Sequence, residues 1–253
     1  MTSEQLTAFF ATAGHLLKEH EEDLDRSLAR FFPSLRQELH TFREQKRDSD
    51  IYLASDFNVF DFIDPDENTL SDILKVLLDP RGPHGQGVLF LEQFLAHASV
   101  PTELHLAGAR IFREDATSYI YNPWRRIDIT LDLSLDSGGH QHDFGIGIEN
   151  KPWAGDQHQQ VPDYIEHFRK RYGDYFLLIY LSGSDLPPSS LPEDKRTQLE
   201  RLNQFRFLTY RTELRTWLMT TCKLCKADKV RGFLEDFISY IEASFRFRPP
   251  EET

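Results

Sequence analysis

Two carboxylates and a lysine fall in a pattern that places them on one surface. The run Arg125–Leu135 alternates strictly: Ile127, Ile129, Leu131 and Leu133 share one face, and Arg126, Asp128, Thr130 and Asp132 the other. That period of two is the signature of a half-buried strand. Ser137-Gly138-Gly139 then signals a hairpin turn. In the next run Ile146 and Ile148 alternate with Gly147, Glu149 and Lys151. Residues two apart leave a strand on the same side, roughly 6–7 Å apart at the base. Glu149 and Lys151 are therefore neighbours, and pairing of the two strands brings Asp128 to them. The group suits a hard divalent cation such as Mg²⁺, which takes one or two carboxylates plus waters and substrate phosphates. A lysine beside it stabilises an attacking hydroxide or the charge that builds on a phosphorane-like transition state. A solvated hairpin face carrying a Glu–Lys pair accounts for the same spacing.

Residues beyond the triplet narrow the choice. Arg126-Ile127-Asp128-Ile129, Ile148-Glu149-Asn150-Lys151, Asp156-Gln157, Gln160 and Tyr164, in that order, resemble the PD-(D/E)xK nuclease superfamily. Glu67-Asn68-Thr69, Leu77-Leu78-Asp79-Pro80 and His84-Gly85-Gln86-Gly87 resemble the N-terminal block of one of its branches. The resemblance spans roughly residues 56 to 218; Ile127 stands where the family name has proline. It implies metal-dependent phosphodiester hydrolysis, as by a DNA endonuclease. Asp128 and Glu149 would hold Mg²⁺, with Mn²⁺ as the alternative ion, and Glu67 would be a third carboxylate. Lys151 would assist the attacking water, Gln160 would join the catalytic group, and Arg126, Gln157 and Tyr164 would face the substrate. Two readings compete with it: a non-catalytic interaction protein that retains the fold, and a nuclease acting on RNA.

The elements that must position these residues can be traced around them. Asp64-Pro65-Asp66-Glu67 predicts a helix start, with Asp64 as N-cap, proline at the first position and Glu67 as the capping-box acid. That helix runs through Leu70, Ile73, Leu74, Leu77 and Leu78, and a second carries Phe90, Leu91, Phe94 and Leu95. A short strand is expected over 109–114, before the two central ones. Asp156 is placed to cap a helix through about Tyr172, which sets Gln157, Gln160 and Tyr164 on one face. The apolar run Tyr175–Leu181 predicts a buried strand. A Ser/Pro-rich loop follows, then a helix over 193–202, a strand over 205–210 and two further helices. The order α-β-β-β-α-β predicts an α+β fold with a restriction-endonuclease-like core: a small mixed sheet flanked by helices. An N-terminal helical arm over residues 1–50 precedes this domain, which occupies residues 51–253. In the arm, Pro33 is expected to break the helix, Ser34 to cap the next, and 43–50 to form a solvated connector. The arm has no chemistry of its own and suits a homodimer contact or a protein partner.

Composition sets the outer bounds. With 40% hydrophobic and 13% aromatic residues, the 253-residue chain can bury a sizeable core. No run reaches the eighteen or so apolar residues of a membrane span, and the N-terminus lacks the pattern of a signal peptide, so cytoplasmic residence is the expectation. A net charge of −12 argues against tight, indiscriminate nucleic-acid binding. Residues 195–231, however, hold 10 basic and 3 acidic side chains, enough for a local basic surface. Cys222-x-x-Cys225 lacks the second pair that a zinc site needs. His84 is expected to organise its loop, and His140 and His142 to sit on a wet hairpin tip.

Overall fold

The computed structural model describes residues 3–100, 104–117, 125–137 and 140–245. The Gly138-Gly139 turn and the C-terminal tail lie outside them. The chain divides into two compact units, Met1–Phe57 and Asn58–Thr253.

The first unit is one helix, α1 (Ser3–Leu53), that continues through Pro33. The expected break and the connector over 43–50 are therefore corrected. Interior proline removes one N–H and crowds the preceding carbonyl, at a cost of about 3 kcal/mol. Leu, Arg, Glu and Gln on both sides are strong helix formers, and they carry the helix past it.

The second unit is an α+β sandwich around a five-stranded mixed sheet. Its elements are α2 (Phe60–Ile63), α3 (Glu67–Leu78), α4 (Leu89–His97), β1 (Leu104–Ala116), β2 (Arg126–Ser137), β3 (His140–Lys151), α5 (Gln160–Tyr172), β4 (Phe176–Ser182), α6 (Glu193–Arg201) and β5 (Phe205–Thr209). A π-helical turn, Tyr210–Leu214, then leads into α7 (Arg215–Leu224) and α8 (Asp228–Ser244). The sheet order is β1-β2-β3-β4-β5. The first three strands pair antiparallel, and β3-β4 and β4-β5 pair parallel. The predicted alternation holds from Ile129 onward, with Ile129 opposite Ile148 and Leu131 opposite Ile146. Ile127, expected on the face of Ile129, packs instead on the other side of the sheet with Val161, Tyr164 and Phe168, because the ladder with β3 ends at Ile129.

Each face of the sheet is covered. Ile129, Leu131, Ile146, Ile148 and Ile179 pack with α3, α4, α7 and α8 through Leu74, Phe90, Trp217 and Phe237. On the other side Val161, Tyr164, Phe168 and Tyr172 of α5 pack on Phe176, Leu178 and Tyr180. Gly145 and Gly147 make that close approach possible. A Cβ at 145 would overlap the Tyr172 ring, and one at 147 would lie 2.6 Å from the Phe168 ring.

Two helix starts differ from expectation. Asp64 closes α2 in the left-handed region, φ 38°. Asp66 is the N-cap of α3, its carboxylate accepting the Thr69 N–H at 2.8 Å, so Glu67 is the first helical residue and is not a capping-box acid. Asp156 caps no helix: its carboxylate accepts the Ser189 and Ser190 N–H groups, both at 2.7 Å, and ties down the Ser/Pro-rich loop. The helix begins four residues later, at Gln160. Among the described residues no helix is long and apolar enough to cross a membrane.

Candidate active site

Sheet register brings the central residues together. The β2–β3 ladder runs as far as Ile129 and Ile148, one residue short of Asp128 and Glu149. Asp128 Oδ2 accepts the Asn150 N–H at 2.7 Å. Glu149, next on β3, is 1% exposed. Its Oε1 accepts from Gln160 Nε2 at 2.6 Å and lies 2.9 Å from Lys151 Nζ, while its buried Oε2 has no partner. Lys151 Nζ also donates to Glu67 Oε1 at 2.8 Å. Four of the expected residues thus converge on one ammonium and one buried carboxylate.

Burial governs the electrostatics. It pushes the Glu149 carboxyl up to about 8, with the charge of Asp128 adding to the rise. Burial also raises Asp128, against the lowering charge of Lys151. For Lys151 burial works downward, but the charge of Glu149 and the bonds to Glu67 and Glu149 outweigh it, and the ammonium is held above its ordinary range. Lys151 is therefore protonated throughout the physiological range.

The supporting residues occupy different stations. Gln160 takes the Gln157 N–H on its Oε1 at 2.8 Å and directs its amide to Glu149 and, at 3.0 Å, to the Tyr164 hydroxyl. Tyr164 is 1% exposed and donates to the Arg126 carbonyl at 2.8 Å. Its buried hydroxyl faces Gln160 and the backbone, so the expected substrate contact is corrected to a prop beneath Glu149. The side chain of Gln157 is exposed in the loop before α5, off the helix face expected for it. Arg126 is exposed and pairs with Glu114 at 2.8 Å.

Several residues were not singled out in the sequence. Asn150 is fully buried: its amide nitrogen donates to Ser71 Oγ at 2.9 Å, and its oxygen accepts from the Tyr210 hydroxyl at 2.7 Å. It joins β3 to α3, which carries Glu67, and to the π-helical turn. Arg113 binds Asp72 at 2.6 Å and the Asp128 carbonyl, fixing α3 against β2. Trp153, two residues beyond Lys151, is 57% exposed and stacks on Phe245. The position of Asn150 inside the Glu-Asn-Lys run was the one available signal; nothing local marks Ser71, Tyr210 or Arg113.

Other expectations resolve simply. Among the described residues no three His, Cys, Asp or Glu side chains converge closely enough to hold a metal ion by themselves. Glu67 and Glu149 share the Lys151 ammonium, at 2.8 and 2.9 Å. A cation is still suited to Glu149, because a buried carboxylate oxygen without a partner is costly and a hard ion satisfies it. Of the ten basic residues over 195–231, four are paired with carboxylates: Arg196 with Glu193 and Glu200, Arg211 with Asp185, Arg215 with Glu242 and Arg231 with Asp228. His84 accepts the Gln86 N–H and bonds the Asp79 carbonyl, holding its loop. Both cysteines are buried and unbridged. A cleft of about 500 Å³ between α5 and α6 is lined by none of the site residues.

A family model described as the PD-(D/E)XK nuclease superfamily matches residues 57–239. Among solved structures, the MspJI restriction endonuclease in complex with a 27-mer oligonucleotide is similar at 14% identity and a TM-score of 0.29. That match covers 73% of this chain and 38% of the endonuclease chain. No curated protein matches the sequence.

Proposed function

Because the chain belongs to the PD-(D/E)XK nuclease superfamily, we propose that it hydrolyses phosphodiester bonds of DNA at the Asp128–Glu149–Lys151 corner with a divalent cation, Mg²⁺ or Mn²⁺. The observation that carries this reading is Glu149, buried with one oxygen bound and the other unpartnered, beside the half-buried carboxylate of Asp128. A structural ion pair has no need of that second oxygen. Asp128 and Glu149 would hold the ion. When bound, it neutralises charge on the scissile phosphate and eases ionisation of the attacking water.

The protein groups divide the remaining work. Lys151 cannot take a proton from water, since its ammonium is held protonated. It acts as a donor, toward the attacking water or a phosphate oxygen, in the surroundings where one such donor matters most. Glu67 fixes the ammonium, Gln160 fixes Glu149, and Tyr164 fixes Gln160. Arg126 lies exposed on the neighbouring strand and would meet the phosphate backbone. Trp153 offers a ring on which an unpaired base can stack.

Incubation of the protein with plasmid DNA and with RNA, in Mg²⁺ and in Mn²⁺, tests the proposal against Asp128→Ala. DNA cleavage that needs the metal and disappears in the variant is the expected result. Cleavage of RNA alone would transfer the site to that substrate. Calorimetric Mg²⁺ binding without cleavage of either polymer would leave an ion-binding scaffold and remove the enzyme.

A further inference from the structure

Helix α1 carries an apolar stripe on its outside. Leu24, Leu28, Phe31, Leu35, Leu39 and Phe42 recur at steps of three and four and are 36–63% exposed. One face of a helix bears such a repeat, and a contiguous apolar stripe in water marks an association surface. We propose that this stripe pairs with the same stripe of a second copy, antiparallel, to form a two-helix homodimer contact centred on Pro33.

Spacing supports the orientation. The stripe is nearly symmetric about Pro33 along the helix. When two copies run in opposite directions with their prolines together, Leu24 meets Phe42 of the second copy, Leu28 meets Leu39, and Phe31 meets Leu35. The contact is isologous, and every one of the six apolar residues finds an apolar counterpart. The steps of four, three, four, four and three keep to an a/d-like seam except at Leu39, which stands one position past it, where Glu38 occupies the strict core site.

Charge decides between the two directions. Residues 19–25 hold five carboxylates and no lysine or arginine, whereas residues 43–47 hold Arg43, Lys46 and Arg47 against Glu44. A parallel pair would lay the acidic segment on itself. The antiparallel pair lays it on the basic segment of the other copy, so Coulomb energy and apolar register favour the same arrangement. The stripe occupies one unit of the chain, and the inference is independent of the chemistry proposed above.

Sedimentation of the full chain across micromolar concentrations tests association. A dimer is expected, converted to monomer by Leu28→Glu together with Leu35→Glu, with helical content by circular dichroism unchanged. A wild-type monomer throughout, or a dimer that survives both substitutions, overturns the proposal. Direction is read by oxidation of differently tagged Leu24→Cys and Phe42→Cys proteins. A mixed disulfide between the two is expected, and efficient self-linking of Leu24→Cys alone would establish a parallel pair and overturn the register. The native cysteines are buried and do not compete.

Discussion

Metal affinity should depend on pH through Glu149, and the size of the effect can be worked from its environment. Burial and Asp128 place this carboxyl at about 8, so at pH 7 about one molecule in eleven carries it ionised. A cation must displace the proton in the rest. At pH 9 about ten in eleven are already ionised, so apparent Mg²⁺ affinity should rise about tenfold from pH 7 to pH 9 and then level off. Calorimetry in two buffers of different ionisation enthalpy should record release of nearly one proton per ion at pH 7 and almost none at pH 9. Folding stability of the metal-free protein follows the same group with the opposite sense. A carboxyl whose folded value lies above its unfolded 4.5 binds its proton more tightly when folded. Its contribution is present below about pH 4.5 and is lost as pH rises through about 8, and Glu149→Gln should flatten that slope. Affinity that is the same at pH 7 and pH 9, with no proton release, would refute the claim that Glu149 is both buried-neutral and a metal ligand.

Four further outcomes are expected. Lys151→Ala should slow single-turnover cleavage by about 100- to 1000-fold while Mg²⁺ and DNA still bind, and Lys151→Arg should rescue poorly because a planar fork replaces a compact head. Asp66→Ala should lower the thermal midpoint through loss of the α3 cap with cleavage retained, whereas Glu67→Gln should spare the midpoint and reduce the rate; the reverse pattern would restore Glu67 to a structural role. Trp153→Ala should weaken single-stranded DNA binding by about 1–3 kcal/mol in fluorescence anisotropy, with the rate of bound substrate unchanged. Tyr210→Phe should destabilise the fold by about 1–3 kcal/mol in denaturant titration, because it leaves the buried Asn150 oxygen unpaired; an unaltered midpoint would remove the Asn150 bridge from the stability of the site.

The strand pair and its facing residues were legible because period-two alternation and register are local properties. With Ile129 opposite Ile148, Asp128 and Glu149 come at the end of the paired strands, but the alternation itself stops there, and Ile127 leaves the face it was expected to share with Ile129. Helix starts were less legible where two acceptors compete. Asp64 and Asp66 flank the same proline, and what decides between them is α2, a single turn that ends at Asp64 in the left-handed region. Asp156 has every local qualification for a cap, but its partners are Ser189 and Ser190, more than thirty positions away. Asp185 and Glu242, which pair with Arg211 and Arg215 of the basic stretch, likewise lie outside its bounds. At Pro33 propensity on both sides outweighed the residue that punctuates.

The packing of α5 and the chemistry of Glu149 have one origin. Gly145, Gly147, Glu149 and Lys151 alternate along the same face of β3. The two glycines leave room for the Tyr172 and Phe168 rings, and α5 consequently lies directly on the strand. That seat carries the start of the helix to the next position on the face, where Gln160 reaches the Glu149 carboxylate and Tyr164 supports Gln160. It also excludes water from the carboxylate, and exclusion of water is the main reason its proton is held so tightly. A side chain at either glycine would lift the helix, loosen the amide from Glu149 and let solvent in. The surroundings of Glu149 therefore depend on the absence of side chains one and two steps back along the same strand face.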